Sequence, residues 1–182
     1  QLFSMGLGAL SLNDKGNRGF FPLEHRLLAQ LKPIQLESRT LLLAVSAGAD
    51  SLAMLGALYN LRRILKLDIN VAYVHHGPCS EVQMKYRNKA WQYINYICRQ
   101  LDVPFFSNAA EVCKNESAEI KYCYPPPEQD LRSEADLRDF RYTVLNWVAD
   151  KLTGGDKPLL CLAHTANDLL ETRLHRVIRG AG

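Results

Sequence analysis

An uncharged apolar run, Leu41-Leu42-Leu43-Ala44-Val45, passes without a break into Ser46-Ala47-Gly48-Ala49-Asp50-Ser51, a stretch with almost no side-chain bulk. A short apolar run that ends in such a turn reads as a strand buried on both faces, and such strands belong in parallel sheets. A helix expected to open at Asp50-Ser51 leaves its first amide N–H groups without partners, and small neighbours let an anion approach them. The plain alternative is a strand–helix turn in which Ser and Asp merely cap the helix. Smallness at every position favours a phosphate cradle. The segment has neither the lysine of G-x-x-x-x-G-K-S/T nor the spacing of G-x-G-x-x-G, so it matches neither common phosphate loop. Asp50 is the odd member: a carboxylate beside phosphates makes sense with a divalent cation between them, and Mg²⁺ bridges carboxylate and phosphate oxygens.

Strands and helices alternate along the rest of the chain. A helix is expected over 22–32, with Pro22 at its first position and Pro33 closing it. The expected strand at 40–46 leads to a helix over 50–65 with Leu52, Leu55, Leu58 and Leu61 at helical spacing. A second strand follows at 69–75, then a helix over 81–101 whose apolar face carries Met84, Ala90, Trp91, Ile94, Ile97, Cys98 and Leu101. A short strand at 103–107 precedes a long surface loop, 111–132, that holds Pro125-Pro126-Pro127. Ser133 and Asp136 form a capping box for a helix to about Leu152, ended by Gly154-Gly155. A fourth strand at 157–164 and a last helix at 167–179 complete the series. Repeated strand–helix units imply a parallel sheet with helices on both faces, an α/β fold whose ligands sit beyond the carboxyl ends of the strands. Residues 1–19 are read as a tail outside the fold, and 20–182 as one domain.

The composition, 47% hydrophobic and 23% charged, excludes a disordered or fibrous chain. No stretch approaches the roughly 18 apolar residues of a membrane span, and no secretory signal is evident, so a cytoplasmic protein without membrane partners is expected. The five cysteines, Cys79, Cys98, Cys113, Cys123 and Cys161, are odd in number and never in C-x-x-C spacing, which points to a reducing interior rather than to disulfides or zinc. The net charge of +3 is uneven. Between Leu61 and Leu101, seven basic residues (Arg62, Arg63, Lys66, Lys85, Arg87, Lys89, Arg99) face two acids (Asp68, Glu81), so the region could meet a polyanion or be a solvated helix surface.

Three strand ends carry chemistry: Ser46-Ala47-Gly48, His75-His76-Gly77 and His164-Thr165-Ala166-Asn167-Asp168. Backbone groups at Val74-His75 are placed to hold adenine, while Asp168 and Glu171, three apart on a helix, share one face with each other. Without His164 nearby they would simply complement the helix dipole. An imidazole there suits charge stabilisation or proton transfer. Arg141, in Asp139-Phe140-Arg141-Tyr142, can grip phosphate in bidentate fashion, and Arg179-Gly180-Ala181-Gly182 is an anion-binding element or a frayed helix stop.

Taken together these segments resemble the tRNA(Ile)-lysidine synthetase family of PP-loop ATP pyrophosphatases. Ser46 to Ser51 is similar to S-G-G-x-D-S, Val74 to Gly77 to V-x-H-G, Leu137 to Tyr142 to A-R-x-x-R-Y, Ala163 to Thr172 to A-H-H-x-x-D-Q-x-E-T, and Arg179 to Gly182 to R-G-x-G. The resemblance implies an adenine nucleotide alpha hydrolase-like fold, ATP and Mg²⁺ as cofactors, and residues 20–182 as a PP-loop ATP-binding catalytic domain truncated at its C-terminal end. It also implies adenylation of the wobble cytidine of a tRNA(Ile) with a CAU anticodon, followed by attack of free lysine. Ser46, Ala47, Gly48, Ala49, Asp50, Ser51, Val74, His75 and Arg179 would then bind the nucleotide. Asp50, Asp168 and Glu171 would hold the metal, and His164 and Arg141 would stabilise charge. The chain departs from the family at Ala47, Leu137, Thr165, Asn167 and Leu169. Two other readings stand beside this one: a 2-thiocytidine synthetase, whose C-x-x-C cysteines are lacking here, and a non-catalytic nucleotide- or RNA-binding module. The oligomeric state is left open, a homodimer being one option.

Overall fold

The computed structural model describes residues 20–34, 36, 38–109, 127, 131, 133–152 and 157–163. Helix α1 spans Pro22–Leu31 and runs into a 3-10 turn, Lys32–Ile34, so Pro33 tightens the helix end rather than following it. Strand β1 is Thr40–Ala44, α2 Ala49–Leu61, β2 Asp68–Tyr73, α3 Glu81–Leu101, β3 Phe105–Ser107, α4 Glu134–Lys151 and β4 Leu159–Leu162. The expected loop at 111–132, the stop at Gly154-Gly155, the last helix and the N-terminal tail lie outside the described residues, apart from Pro127 and Leu131 within the loop.

The four strands form one parallel sheet in the order β3-β2-β1-β4. Adjacent side chains on a strand point to opposite faces, and β1 supplies both cores. Leu41 and Leu43 pack with Leu55, Leu58 and Leu61 of α2 and with Ile94 and Ile97 of α3, whereas Leu42 packs with Leu145, Val148 and Ala149 of α4. Helices therefore cover both faces of the sheet, which is why β1 carries no polar side chain between Leu41 and Ala44. Among the described residues no helix is long and apolar enough to cross a membrane.

Local chemistry explains most of the boundaries. Helix α2 stops at Leu61, four residues before its apolar pattern does, because Lys66 turns left-handed (φ 51°) and the Leu67 N–H reaches back to the Arg62 carbonyl at 2.8 Å. A helix closed this way keeps its orphan carbonyls satisfied while Leu65 and Leu67 stay buried. The start of α4 follows the capping-box expectation: Ser133 Oγ accepts from the Asp136 N–H at 3.0 Å, and Asp136 Oδ2 accepts from the Ser133 N–H at 3.3 Å. The predicted apolar face of α3 is buried at Ala90, Ile94, Ile97, Cys98 and Leu101, with Met84 and Trp91 only half-buried. Burial pushes the Cys98 thiol up to about 12, so it behaves as a core residue.

Candidate active site

Strand β1 leads into the loop at its carboxyl end. Val45 still donates to the Ala72 carbonyl of β2 at 2.9 Å, but at Ser46 the chain leaves the sheet. Ala47 then adopts a left-handed backbone (φ 64°), while Gly48 has an ordinary extended geometry (φ −72°, ψ 156°) as the N-cap of α2. Its N-cap Gly48 has no side chain to cap it, and the amides of its first turn have no intrahelical acceptor. An anion held there would also meet the positive end of the helix dipole.

The loop is braced from inside. The Ser51 hydroxyl donates to the Gly48 carbonyl at 2.9 Å and accepts from the Ser46 N–H at 3.2 Å, and it lies 3.4 Å from Ser46 Oγ. Ser51 is buried, so its hydroxyl shapes the cradle, whereas Ser46, Gly48, Ala49 and Asp50 are exposed. Asp50 sits in the first turn of α2.

At the end of β2 the two histidines part company. His75 is buried, and its backbone is clamped by Asn108, just past β3: its N–H donates to Asn108 Oδ1 at 2.6 Å, and its carbonyl accepts from Asn108 Nδ2 at 2.8 Å. Its ring Nδ1 accepts from the Gly77 N–H at 3.2 Å, which puts the imidazole proton on Nε2, 3.2 Å from Asn88 Oδ1. The His75 amide expected to contact adenine is thus already taken, and this residue is a structural joint.

His76 faces the other way and lines the cleft with Val74. Its Nδ1 is buried and has no hydrogen-bond partner among the described residues, and its ring stands 6.5 Å from that of Phe140 on α4. Burial, then the charges of Arg141 and Arg87, hold its pKa down to about 4, so the imidazole is neutral near pH 7. The expected site residues omitted His76, although strand alternation puts it, not His75, on the face of Val74. The V-x-H-G pattern also sets its histidine at 76.

These groups meet in a cleft of about 180 Å³ formed by Ser46 and Ser51, by Val74 and His76, by Leu162 and Ala163 at the end of β4, and by Arg141 of α4. It opens beyond the carboxyl ends of β1, β2 and β4, where the chain order reverses between β1 and β4. Doubly wound sheets bind ligands at such a point. Clefts for drug-sized ligands run to roughly 300–1,000 Å³, so this one has room for only part of such a ligand. Of the expected site residues the structure brings Ser46 and Ser51 of the loop, Val74 and Arg141 to this cleft, whereas Ala47, Gly48, Ala49, Asp50 and His75 are not among the residues that line it. His164, Asp168, Glu171 and Arg179 lie outside the described residues, with Ala163, directly before His164 in sequence, on the cleft wall.

A family model described as a PP-loop domain matches residues 22–182. The chain is 31% identical over 160 residues to a tRNA(Ile)-lysidine synthase of Bdellovibrio bacteriovorus, covering 88% of this chain and 43% of that protein. With the Thermotoga maritima enzyme of the same name the identity is 32% over 146 residues, covering 80% and 31%. The chain therefore spans less than half the length of these curated relatives. A solved U34-tRNA thiolase from Methanococcus maripaludis superposes with a TM-score of 0.63 at 14% identity, over 86% of this chain and 49% of that one, a likeness of fold. With its braced, uncapped loop at the switch point of a parallel sheet and a match that runs from α1 to the last residue, the chain belongs to the PP-loop family.

Proposed function

We propose that this chain is the catalytic part of an ATP-dependent tRNA-modifying ligase that joins lysine to the wobble cytidine of tRNA(Ile) with a CAU anticodon. The observation that carries this reading is the meeting, in one cleft, of Ser46 and Ser51 from the loop that opens α2, the β2 end and Arg141. The relatives of that name, similar over most of this chain, support the choice of substrate.

In the first step the cytidine O2 attacks the α-phosphorus of ATP and the α–β P–O bond breaks, so pyrophosphate leaves with the electron pair. The amides around Ala47, Gly48 and Ala49 hold the departing group, with Ser51 keeping the loop in shape. Val74 and His76 flank the nucleoside. In the second step the lysine ε-amine attacks C2, the C2–O bond breaks, and AMP departs carrying that oxygen. Arg141, with His164, stabilises charge that builds on the phosphates and the activated base; such preorganised groups are typically worth about 3 kcal/mol each. Asp50 is an exposed carboxylate beside phosphate-binding amides, and one or two carboxylates plus substrate phosphates are what Mg²⁺ ordinarily uses. Asp50, with Asp168 and Glu171, would hold Mg²⁺, which neutralises phosphate charge when bound.

Supplied with ATP, Mg²⁺, labelled lysine and the tRNA, the chain is expected to release pyrophosphate and to place lysine in the RNA, and Asp50→Ala is expected to abolish both. Orthophosphate as product, entry of sulfur instead of lysine, or full activity of the Asp50→Ala variant would overturn the mechanism.

A further inference from the structure

Helix α3 carries an outward face on which large side chains and cations stand together in solvent. Val82, Tyr86 and Tyr96 are 79%, 67% and 48% exposed, three large side chains left in solvent on one helix. Lys85, Lys89 and Arg99 are exposed too, and the spacing Lys85, Lys89, Gln92, Tyr96, Arg99 runs in steps of four and three, which is one stripe along a helix. Tyr86 and Tyr93 flank it. Glu81 is the single acid in the helix, and it is already bridged to Lys85 at 2.8 Å. Arg87 looks inward instead, donating to the Gly77 carbonyl at 2.9 Å.

That inward bond fixes where the stripe lies. Gly77 follows His76 on the cleft wall, so the first turns of α3 stand beside the mouth of the cleft, and the helix then runs about 30 Å away from it. Cations alone would be a solvated surface. Exposed tyrosines between cations, with almost no compensating acid, are complementary to RNA: the cations meet phosphates, and the rings stack on bases that are not paired. We infer that the outward face of α3, from Val82 to Arg99, is an RNA-docking surface that guides a nucleotide of the bound strand into the cleft. The choice of RNA as partner rests on the function proposed above; the location does not.

The test uses the full chain and a fluorescein-labelled RNA hairpin with a single-stranded loop. Tyr86→Ala with Tyr96→Ala is expected to weaken hairpin binding about tenfold or more while leaving its salt dependence unchanged, because stacking carries no counterion release. Lys89→Gln with Arg99→Gln is expected to weaken binding and to make the slope of log affinity against log salt shallower by about 2. Lys151→Gln, on α4 across the sheet, is the control and leaves both unchanged. A fluorescent ATP analogue is expected to bind all these variants like the parent chain. Hairpin binding that ignores the α3 substitutions would overturn the inference, as would a parent chain that binds no hairpin. So would sedimentation showing that the tyrosines instead hold two copies of the chain together. If the ATP analogue fails to bind the parent chain while hairpin binding still depends on α3, the proposed function falls and the docking surface stands.

Discussion

At the residue scale, the loop places its demands where the sequence does not meet them. Ala47, not Gly48, has the left-handed backbone. A Cβ costs roughly 1 kcal/mol there, whereas glycine adopts such geometry freely. Among the described residues a Cβ at Gly48 would meet nothing closer than Ser46 Oγ at 3.5 Å. Ala47→Gly is therefore expected to relieve strain while loosening the unfolded chain, for a net gain of about 0.5 kcal/mol in urea unfolding. A loss of stability would mean that the alanine methyl makes a contact worth more than the strain. His76 gives a second expectation. Its pKa is lowered to about 4 in the folded chain against 6.5 unfolded, so below pH 6.5 the unfolded chain takes up a proton that the folded one refuses. The contribution of the neutral ring is fully present above pH 6.5 and is lost as pH falls from there towards 4. Urea midpoints followed over that window are expected to fall less steeply for His76→Gln than for the parent chain; equal slopes would remove His76 as the titrating group.

At the element scale, the alternation of strands and helices was legible because each element carries its own local signal: an uncharged run for β1, a heptad-like face on α3, and a Ser133–Asp136 capping box for α4. Boundaries were legible where caps set them and blurred where distant bonds did. The stop of α2 depends on Lys66 turning left-handed so that Leu67 can bury, which its leucine spacing does not encode. The fate of the two histidines was hidden in the same way. Asn108 lies 33 residues from His75, and nothing in the composition near Val74 announces that its amide and carbonyl will clamp that backbone. Likewise the smallness of Ser51 suggested a phosphate contact, whereas its hydroxyl is spent on the loop's own carbonyl. Arg141 could be picked out as a motif residue, yet its place opposite the loop needed the knowledge that α4 covers the face away from α2.

At the scale of the whole molecule, the cleft is a product of topology. Strand β1 sends α2 to one face, while β4 returns to its other edge only after α4 has crossed the opposite face. The loop and Arg141 thus stand on elements that pack into two separate cores, and they meet only at the sheet's edge. A ligand that bridges them stabilises both layers at once, and because it binds the folded chain alone, its effect follows from mass action: at a hundred times its dissociation constant it adds about 2.7 kcal/mol. For a chain of this length each kcal/mol moves the melting temperature by roughly 2–4 °C. Saturating ATP with Mg²⁺ is therefore expected to raise Tm by about 5–10 °C. At the same ATP concentration Arg141→Ala is expected to show a smaller rise, because the α4 side of the bridge is gone, while its Tm without nucleotide stays close to that of the parent chain, since half-buried Arg141 lies outside the α4 core. An undiminished rise in Arg141→Ala would place the nucleotide on the α2 side alone and would separate Arg141 from its binding.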